Sequence, residues 1–252
     1  MAATMSGMSL ETAAADLVSL VETNKDFIFT CYQVSLSTIA LLVVLEFFTW
    51  DKEWSKKVQD PEIWALYKEA LWRNVEHTAV LGPMAYASAS MFIDYYGSTP
   101  YWYISFPCMF LIQAVGYALC HAWMHKPHNY WIHRFHHRYS EKTFVRPIAA
   151  NTVTHVEFTI AYMLPIVTAI LICRPTKTGM YWFSMTISIT NLMIHTSKDF
   201  LPMDKYWPSF LVTNTKHFYH HGKNVRRNYS ASLIDLDGVL GLKPKALDSK
   251  KE

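Results

Sequence analysis

Long stretches without charged side chains constrain the fold of this 252-residue chain more than any other feature. Residues 27–45 contain no Asp, Glu, Lys or Arg, and residues 78–120 contain one, Asp94. A helix that crosses the roughly 30 Å hydrocarbon core of a bilayer needs about 20 mostly apolar residues. The sequence therefore predicts an all-α integral membrane protein, a helical bundle with a helical cap on one side.

Five segments are predicted to cross the membrane or enter it. Aromatic residues flank the turn at residues 97–100 between the second and third segments, as is typical of a membrane interface. The last two segments are about sixteen residues each, and Pro165 falls within the fourth, so a tilted or partly re-entrant hairpin is expected there. A soluble bundle of buried helices is the alternative, but the charge-free lengths argue against it. The predicted segments lie near 27–48, 78–96, 101–120, 158–173 and 179–194.

The distribution of basic residues predicts the orientation of the bundle. Of the 23 Lys and Arg residues, 20 lie in residues 50–77, 121–157 and 195–252, which the positive-inside rule places in the cytosol. A net charge of +3 is too small to indicate a nucleic-acid partner. The four cysteines lie in apolar stretches without CxxC spacing, which excludes a zinc knuckle. We expect a single domain, 1–252, whose metal region comprises 121–157 and 195–242.

Eight of the twelve histidines form three short motifs, HxxxH, HxxHH and HxxHH. Residues three or four apart share one face of a helix, so each motif directs two or three imidazoles to the same place. Imidazole is the commonest metal ligand and suits iron, zinc and copper. Eight such ligands exceed the need of one tetrahedral ion and predict a two-metal centre. These residues are His121, His125, His133, His136, His137, His217, His220 and His221.

The remaining four histidines are less regularly placed. His77, beside Glu76 at the start of a segment, is predicted to lie at the surface, and His128 in a loop. His155 adjoins an apolar block and is as compatible with a ligand as with a structural role. His195, also next to an apolar block, is favoured as a ligand.

The order of these motifs resembles the fatty acid hydroxylase/sterol desaturase superfamily of membrane oxygenases. The resemblance covers about half the chain, from Gly116 to Leu242, and includes the tail 228–238. It implies an endoplasmic-reticulum enzyme with a cytosol-facing di-iron centre, O2 as co-substrate and electrons from NAD(P)H through cytochrome b5. Zinc can replace the iron in such proteins. The implied ligands are His121, His125, His133, His136, His137, His195, His217, His220 and His221, of which His121, His125, His136, His137, His220 and His221 are also expected to be catalytic.

The chain departs from the superfamily pattern after His195. Many relatives carry a second histidine four residues later, where this chain has Asp199. A carboxylate there could ligate or bridge iron from the same helical face. Alternatively, Asp199 pairs with Lys198 or Lys205, and the sequence leaves both interpretations open. His155 fills a position where some relatives also carry histidine, which implies a role in orienting a ligand.

The predicted function is the hydroxylation or desaturation of an unactivated C–H bond in a membrane lipid by a di-iron oxygenase. The motif spacings do not distinguish the two reactions. Many fatty acid 2-hydroxylases of the superfamily carry a fused cytochrome-b5-like segment with the sequence HPGG. The resemblance without that segment favours a sterol substrate, and fatty-acyl, sphingolipid and carotenoid hydroxylases are the alternatives. A non-catalytic metal-binding or transport protein is the alternative from another class. Asp94 is nearly the only charge within the predicted segments, which argues against a transporter.

Overall fold

The computed structural model describes residues 25–143, 145–197, 199–222 and 228–240, with a few residues before Lys25. The predicted metal region is therefore described except at 144, 198, 223–227 and 241–242. Within the described ranges the chain is helical and has no strand, which confirms the all-α prediction. The helices are α1 Lys25–Thr49, α2 Lys52–Lys57, α3 Pro61–Glu76, a first π segment His77–Leu81, α4 Gly82–Tyr96, α5 Trp102–Met124, α6 Tyr130–Thr143, a 3-10 helix Pro147–Asn151, α7 His155–Glu157, a second π segment Phe158–Met163, α8 Leu164–Cys173, α9 Lys177–Ile194, α10 Met203–Tyr206, α11 Asn214–His221 and α12 Leu236–Val239.

Within the described part of the chain, three helices are long and apolar enough to cross a membrane, which marks the chain as a membrane protein. They are Cys31–Thr49, Trp102–Met124 and His155–Cys173. The first two agree with the predicted segments near 27–48 and 101–120. The second of them continues past the predicted end at 120, so that the first histidine motif begins on the membrane helix itself.

The third of these helices differs from its sequence-based prediction. It begins at His155 instead of 158, because the Thr154 hydroxyl caps it by accepting a hydrogen bond from the Glu157 N–H at 3.1 Å. Pro165 does not interrupt it. The proline directly follows the second π segment, and a local π adjustment of this kind accommodates a residue without an N–H inside a membrane helix. The expectation of a short, interrupted segment is therefore wrong for this helix, which is 19 residues long.

The other two predicted segments, near 78–96 and 179–194, form α4 and α9. Both helices belong to the apolar core of the bundle, although neither is among the three long apolar helices. This core brings together one face of each of five helices, represented by Val34 of α1, Ile93 of α4, Met109 of α5, Ile170 of α8 and Phe183 of α9. A crossing by α4 or α9 stays a prediction.

A buried ion pair joins the end of α1 to the cap, by which we mean residues 126–152 and 196–240. Arg146 Nη2 lies 3.1 Å from Glu46 Oε2, and the guanidinium also donates to the Thr49 carbonyl at 3.1 Å. The other carboxylate oxygen of Glu46 accepts a hydrogen bond from the Ile148 N–H at 2.8 Å. The Trp54 ring lies 4.7 Å from the guanidinium carbon. These contacts fix the start of the 3-10 helix against the bundle.

Replacing Glu46 by Gln tests this junction. The substitution leaves Arg146 buried without a counter-ion, and we expect it to lower the free energy of unfolding by about 3–5 kcal/mol. Asp94→Asn is the matched control, because the pair between Asp94 and Lys177 is largely exposed, and its loss should cost about 1 kcal/mol or less. Unfolding of the detergent-solubilised protein measures both, and equal effects would contradict a special role for the buried pair.

Candidate metal centre

Nine histidines converge on one place between the bundle and the cap, in two adjacent groups. In each group the candidate ligand nitrogens all lie within 4.8 Å of one another. All nine were predicted as ligands from the sequence, and the structure brings all of them together. The five-histidine group is His121, His125, His133, His137 and His220, and the four-histidine group is His136, His195, His217 and His221.

Helical geometry explains why each HxxHH motif contributes to both groups. In α6, His133 and His137 are four residues apart and share a face that belongs to the five-histidine group. His136 precedes His137 by one residue, is turned by about 100° around the helix axis, and belongs to the four-histidine group. In α11 the assignment is reversed. His217 and His221 belong to the four-histidine group, and His220 belongs to the five-histidine group. Each HxxHH motif therefore contributes histidines to both groups.

The remaining three histidines come from the ends of helices that belong to the bundle. His121 lies in the last turn of α5, and His125 is the residue that ends this helix. His195 has the same position at the end of α9, one residue after the apolar stretch. The bundle therefore supplies three imidazoles at its cap-facing edge, and α6 and α11 supply the other six.

The distances between ring nitrogens suit a shared metal ion. In the five-histidine group, His121 Nε2 lies 2.9 Å from His133 Nε2. In the four-histidine group, His217 Nε2 lies 2.8 Å from His195 Nε2 and 2.9 Å from His221 Nε2. Imidazole nitrogens bound to one metal at about 2.1 Å stand roughly 3.0–3.4 Å apart. The arrangement is only slightly tighter than a bound metal would require.

Unpaired ring nitrogens also fit a metal-binding role. Among the described residues, neither nitrogen of the buried His137 has a hydrogen-bond partner, so one of them is free to bind a metal ion. An unsatisfied buried polar atom costs about 1–3 kcal/mol. A metal ion is a partner that such nitrogens can share, so the donor set and its geometry fit one ion in each group.

Hydrogen bonds to the Nδ1 atoms orient several of the rings. Backbone carbonyls accept from His121 at 2.8 Å, His195 at 2.7 Å and His136 at 3.3 Å; these carbonyls belong to Tyr229, Asn191 and Thr152. A carbonyl requires the proton to be on Nδ1, which leaves the Nε2 lone pair free to face the metal. The 3-10 helix fixed by the Arg146 pair ends directly before Thr152, so that junction also supports His136.

The protonation states favour metal binding. Burial, and after it the neighbouring imidazoles, holds the pKa of His133, His136, His217 and His221 well below the ordinary value for histidine. Burial also lowers the pKa of His195 to about 4. These rings are therefore neutral near pH 7, and neutral imidazole is the form that coordinates metal ions.

Glu157 is a site residue that the sequence analysis missed. Its side chain is fully buried, and one carboxylate oxygen contacts His133 Nδ1. The other oxygen has no hydrogen-bond partner among the described residues. A carboxylate on the second nitrogen of a metal-bound histidine fixes the ring and makes it a stronger ligand. The signal was present in the sequence, since Glu157 is the one charged residue in 156–173.

The other candidate residues lie outside both groups. Asp199, considered as a substitute ligand, is exposed and belongs to neither group. Lys198, one of its suggested partners, lies outside the described residues. His128 is exposed, as expected. His155 is half-exposed and contacts His77 instead of a ligand. The surface prediction for His77 is wrong, because the ring is fully buried against the second π segment.

A cleft of 690 Å³ opens beside the four-histidine group. Its lining includes Thr49 and Arg146 at the junction, Ser140 of α6, Asp199 on the rim and His221 of the group itself. This volume falls within the usual range of small-molecule sites. Because Thr49 ends α1, the cleft lies at the cap-facing end of the bundle.

Comparison with known proteins identifies the family. A family model described as fatty acid hydroxylase matches residues 106–241, which is more than half of the chain and includes all nine histidines and Glu157. No curated protein and no solved structure matched the chain in the corresponding comparisons. The chain belongs to the fatty acid hydroxylase family, within the fatty acid hydroxylase/sterol desaturase superfamily.

Proposed function

We propose that this protein is a membrane-bound di-iron oxygenase that hydroxylates or desaturates an unactivated C–H bond of a lipid. The family implies an oxidoreductase acting on lipid, and the finer assignment is our own. The observation that carries it is the division of nine histidines into two adjacent groups, each of the size and donor type of one metal site. Neutral imidazoles suit iron and leave the metal open to further ligands.

The nine histidines would hold the two metal ions, without Asp199. When bound, the metal pair supplies the reductive activation of O2 and the removal of hydrogen from the substrate. The protein orients the ligands through Glu157 and the backbone carbonyls of Tyr229, Asn191 and Thr152. Burial of eight of the nine rings keeps bulk water away from the centre.

The overall reaction sets the requirements on the chain. Hydroxylation follows RH + O2 + 2 e⁻ + 2 H⁺ → ROH + H2O, and desaturation of the same substrate consumes the same electrons and protons while releasing two waters. The electrons must come from an external donor, which we propose to be cytochrome b5 reduced with NAD(P)H. The basic bias of the cap-side segments supports a cytosolic metal centre in the endoplasmic-reticulum membrane.

The cleft beside His221 is our proposed route for the lipid. It joins the end of α1 to the four-histidine group, and its charged lining, which includes Arg146 and Asp199, suits the polar part of a lipid. A sterol remains the first substrate class to test, as the sequence analysis favoured, and fatty-acyl lipids are the second. The five-crossing topology, including α4 and α9, is part of the same proposal.

Substrate-dependent O2 consumption is the decisive assay of this function. Protein reconstituted with iron in vesicles, supplied with reduced cytochrome b5 and a panel of sterols, ceramides and fatty-acyl lipids, should consume O2 with one of them. Mass spectrometry should find a product heavier by one oxygen or lighter by two hydrogens. A metal-replete, reduced preparation that is inactive on the whole panel would contradict the proposal and favour a non-catalytic metal protein.

The two groups predict different responses to loss of one histidine. His136→Ala leaves three ligands in its group, whereas His220→Ala leaves four in the larger group. We expect both variants to lose turnover by more than about 100-fold. His136→Ala should also fall from about two bound metals per chain to about one, while His220→Ala should retain close to two.

Metal analysis of the purified variants, with His128→Ala as the matched control, measures this difference. His128 is exposed and outside both groups, so the control should match the parent in both metal content and rate. Full turnover in either ligand variant would remove that histidine from the proposed set.

Glu157→Gln tests the carboxylate behind His133. Gln keeps the size of the side chain but removes its charge, and we expect metal affinity to fall about 10- to 100-fold. Competition between the protein and a chelator for Zn²⁺ measures the affinity without requiring turnover. Glu69→Gln is the control, because Glu69 is exposed and pairs only with Arg73 in the described ion pairs. Unchanged Zn²⁺ affinity in Glu157→Gln would contradict the role assigned to this residue.

A further inference from the structure

A small, partly open cavity lies beside the metal centre, among α1, α9 and both π segments. Its volume of 60 Å³ has room for a few water molecules, because one water molecule needs about 10–15 Å³ of cavity space. Its lining includes His77, Asn151, Tyr162 and Asn191. Apolar side chains form most of the wall, so the polar ones are unusual in this bundle, and buried ionisable groups in such places usually serve a function.

Both π segments border this cavity. Thr78 of the first segment and Tyr162 of the second contribute to its wall. A π turn widens the helix and weakens its regular hydrogen bonding, and such turns occur frequently at functional sites. The described part of the chain contains two π segments, and both contribute residues to the wall of this cavity.

A chain of hydrogen bonds leads from the protein surface to the cavity. Arg73 Nη1 lies 2.8 Å from His155 Nε2, and His155 Nδ1 lies 3.2 Å from His77 Nε2. His77 Nδ1 lies 3.1 Å from the Asn151 carbonyl oxygen. A guanidinium can only donate and a carbonyl can only accept, so all three bonds must point inward. Both imidazoles are then neutral, with their protons on Nδ1.

The outer end of this chain can exchange protons with solvent. The His155 side chain is 47% exposed, and its Nε2 also lies 3.2 Å from a carboxylate oxygen of Glu76, which is partly exposed as well. The inner ring, His77, is fully buried. Burial lowers the pKa of His77 to about 4, against the opposing effect of the Asn151 carbonyl, with Arg73, Glu76 and His155 as its charged or titratable neighbours.

The cavity is also close to ligands of both metal groups. The Tyr162 hydroxyl donates to the Ala150 carbonyl at 2.9 Å and contacts the Tyr117 hydroxyl. The Tyr117 ring packs edge-on against His121 of the five-histidine group, with ring centres 5.2 Å apart. On the other side of the cavity, Asn191 accepts the hydrogen bond from His195 of the four-histidine group.

We propose that His155 and His77 form a proton-uptake path from the aqueous phase, through this cavity, to the metal centre. The inference rests on the proposed function, because each turnover consumes two protons. A proton that binds His155 Nε2, with Glu76 accepting the new N–H, releases the Nδ1 proton to His77 Nε2. His77 then releases its own Nδ1 proton to water in the cavity, and the Tyr162 hydroxyl, which lines the same cavity, passes a proton on toward the metal centre. Ring flips or exchange with water restore the starting tautomers.

The test compares His155→Gln, His77→Gln and Tyr162→Phe with the parent enzyme, and uses His128→Gln as the control. We expect the first three to retain both metals but to turn over about 10-fold or more slowly at saturating reductant. Their solvent deuterium isotope effect should exceed that of the parent, and added imidazole should restore part of the rate of His155→Gln. A purely structural role would produce neither the isotope effect nor the rescue.

A second measurement does not depend on turnover. In zinc-loaded protein with ¹⁵N-labelled histidine, the His77 Nδ1 proton should exchange with D2O at least about 10-fold faster in the parent than in His155→Gln. Parent-like turnover and exchange in His155→Gln would overturn the path while leaving the oxygenase proposal intact. An inactive parent would instead overturn the oxygenase proposal, and the uptake path with it. If His77→Gln does not fold, His155→Gln decides the matter, because its side chain is half-exposed.

Discussion

The structure depends on keeping nine imidazoles neutral and close together in a place that water scarcely reaches. Burying polar groups is costly unless each finds a partner, so the surrounding backbone must supply hydrogen bonds at one nitrogen of a ring and leave the other for a metal. The helix ends at His125 and His195 are suited to this, because they place side chains at the edge of the apolar bundle. The buried pair between Glu46 of α1 and Arg146 of the cap holds in place the backbone that provides such hydrogen bonds.

Local spacing was sufficient to predict which histidines converge but not their division into two groups. The i, i+3 and i+4 rule identified the HxxHH motifs, because helical neighbours on one face are fixed by sequence alone. It could not show that His136 and His137 belong to different groups, since that depends on where α11 packs against α6. Contacts between distant residues, such as His133 with Glu157, have no local signature beyond a lone charge in an apolar block.

The membrane helices were predicted for a similar reason and with a similar limit. Apolar length is a local property, and it located α1 and α5. The third long helix was predicted to begin at 158, which is too late. Its first turn carries the polar residues His155 and Glu157, which hydropathy alone does not assign to a membrane helix. The error at His77 has a similar cause, because the charged neighbour Glu76 led to the prediction that this histidine lies at the surface. Its ring is buried because the helix entering the membrane packs against the second π segment.

The two metal groups are not electrostatically equivalent. Among the described residues, Glu157 is the carboxylate in contact with a ligand, and it serves the five-histidine group; the four-histidine group is oriented by backbone carbonyls. A buried carboxylate with one unpaired oxygen is unfavourable unless a positive charge lies nearby. A divalent metal held by His133 would supply that charge through the imidazole. Glu157 and a metal would therefore stabilise each other, and the five-histidine group would tolerate a higher metal charge than its neighbour, which has no such carboxylate behind its histidines. This asymmetry would give two bound ions different affinities, although the side chains in both groups are histidines.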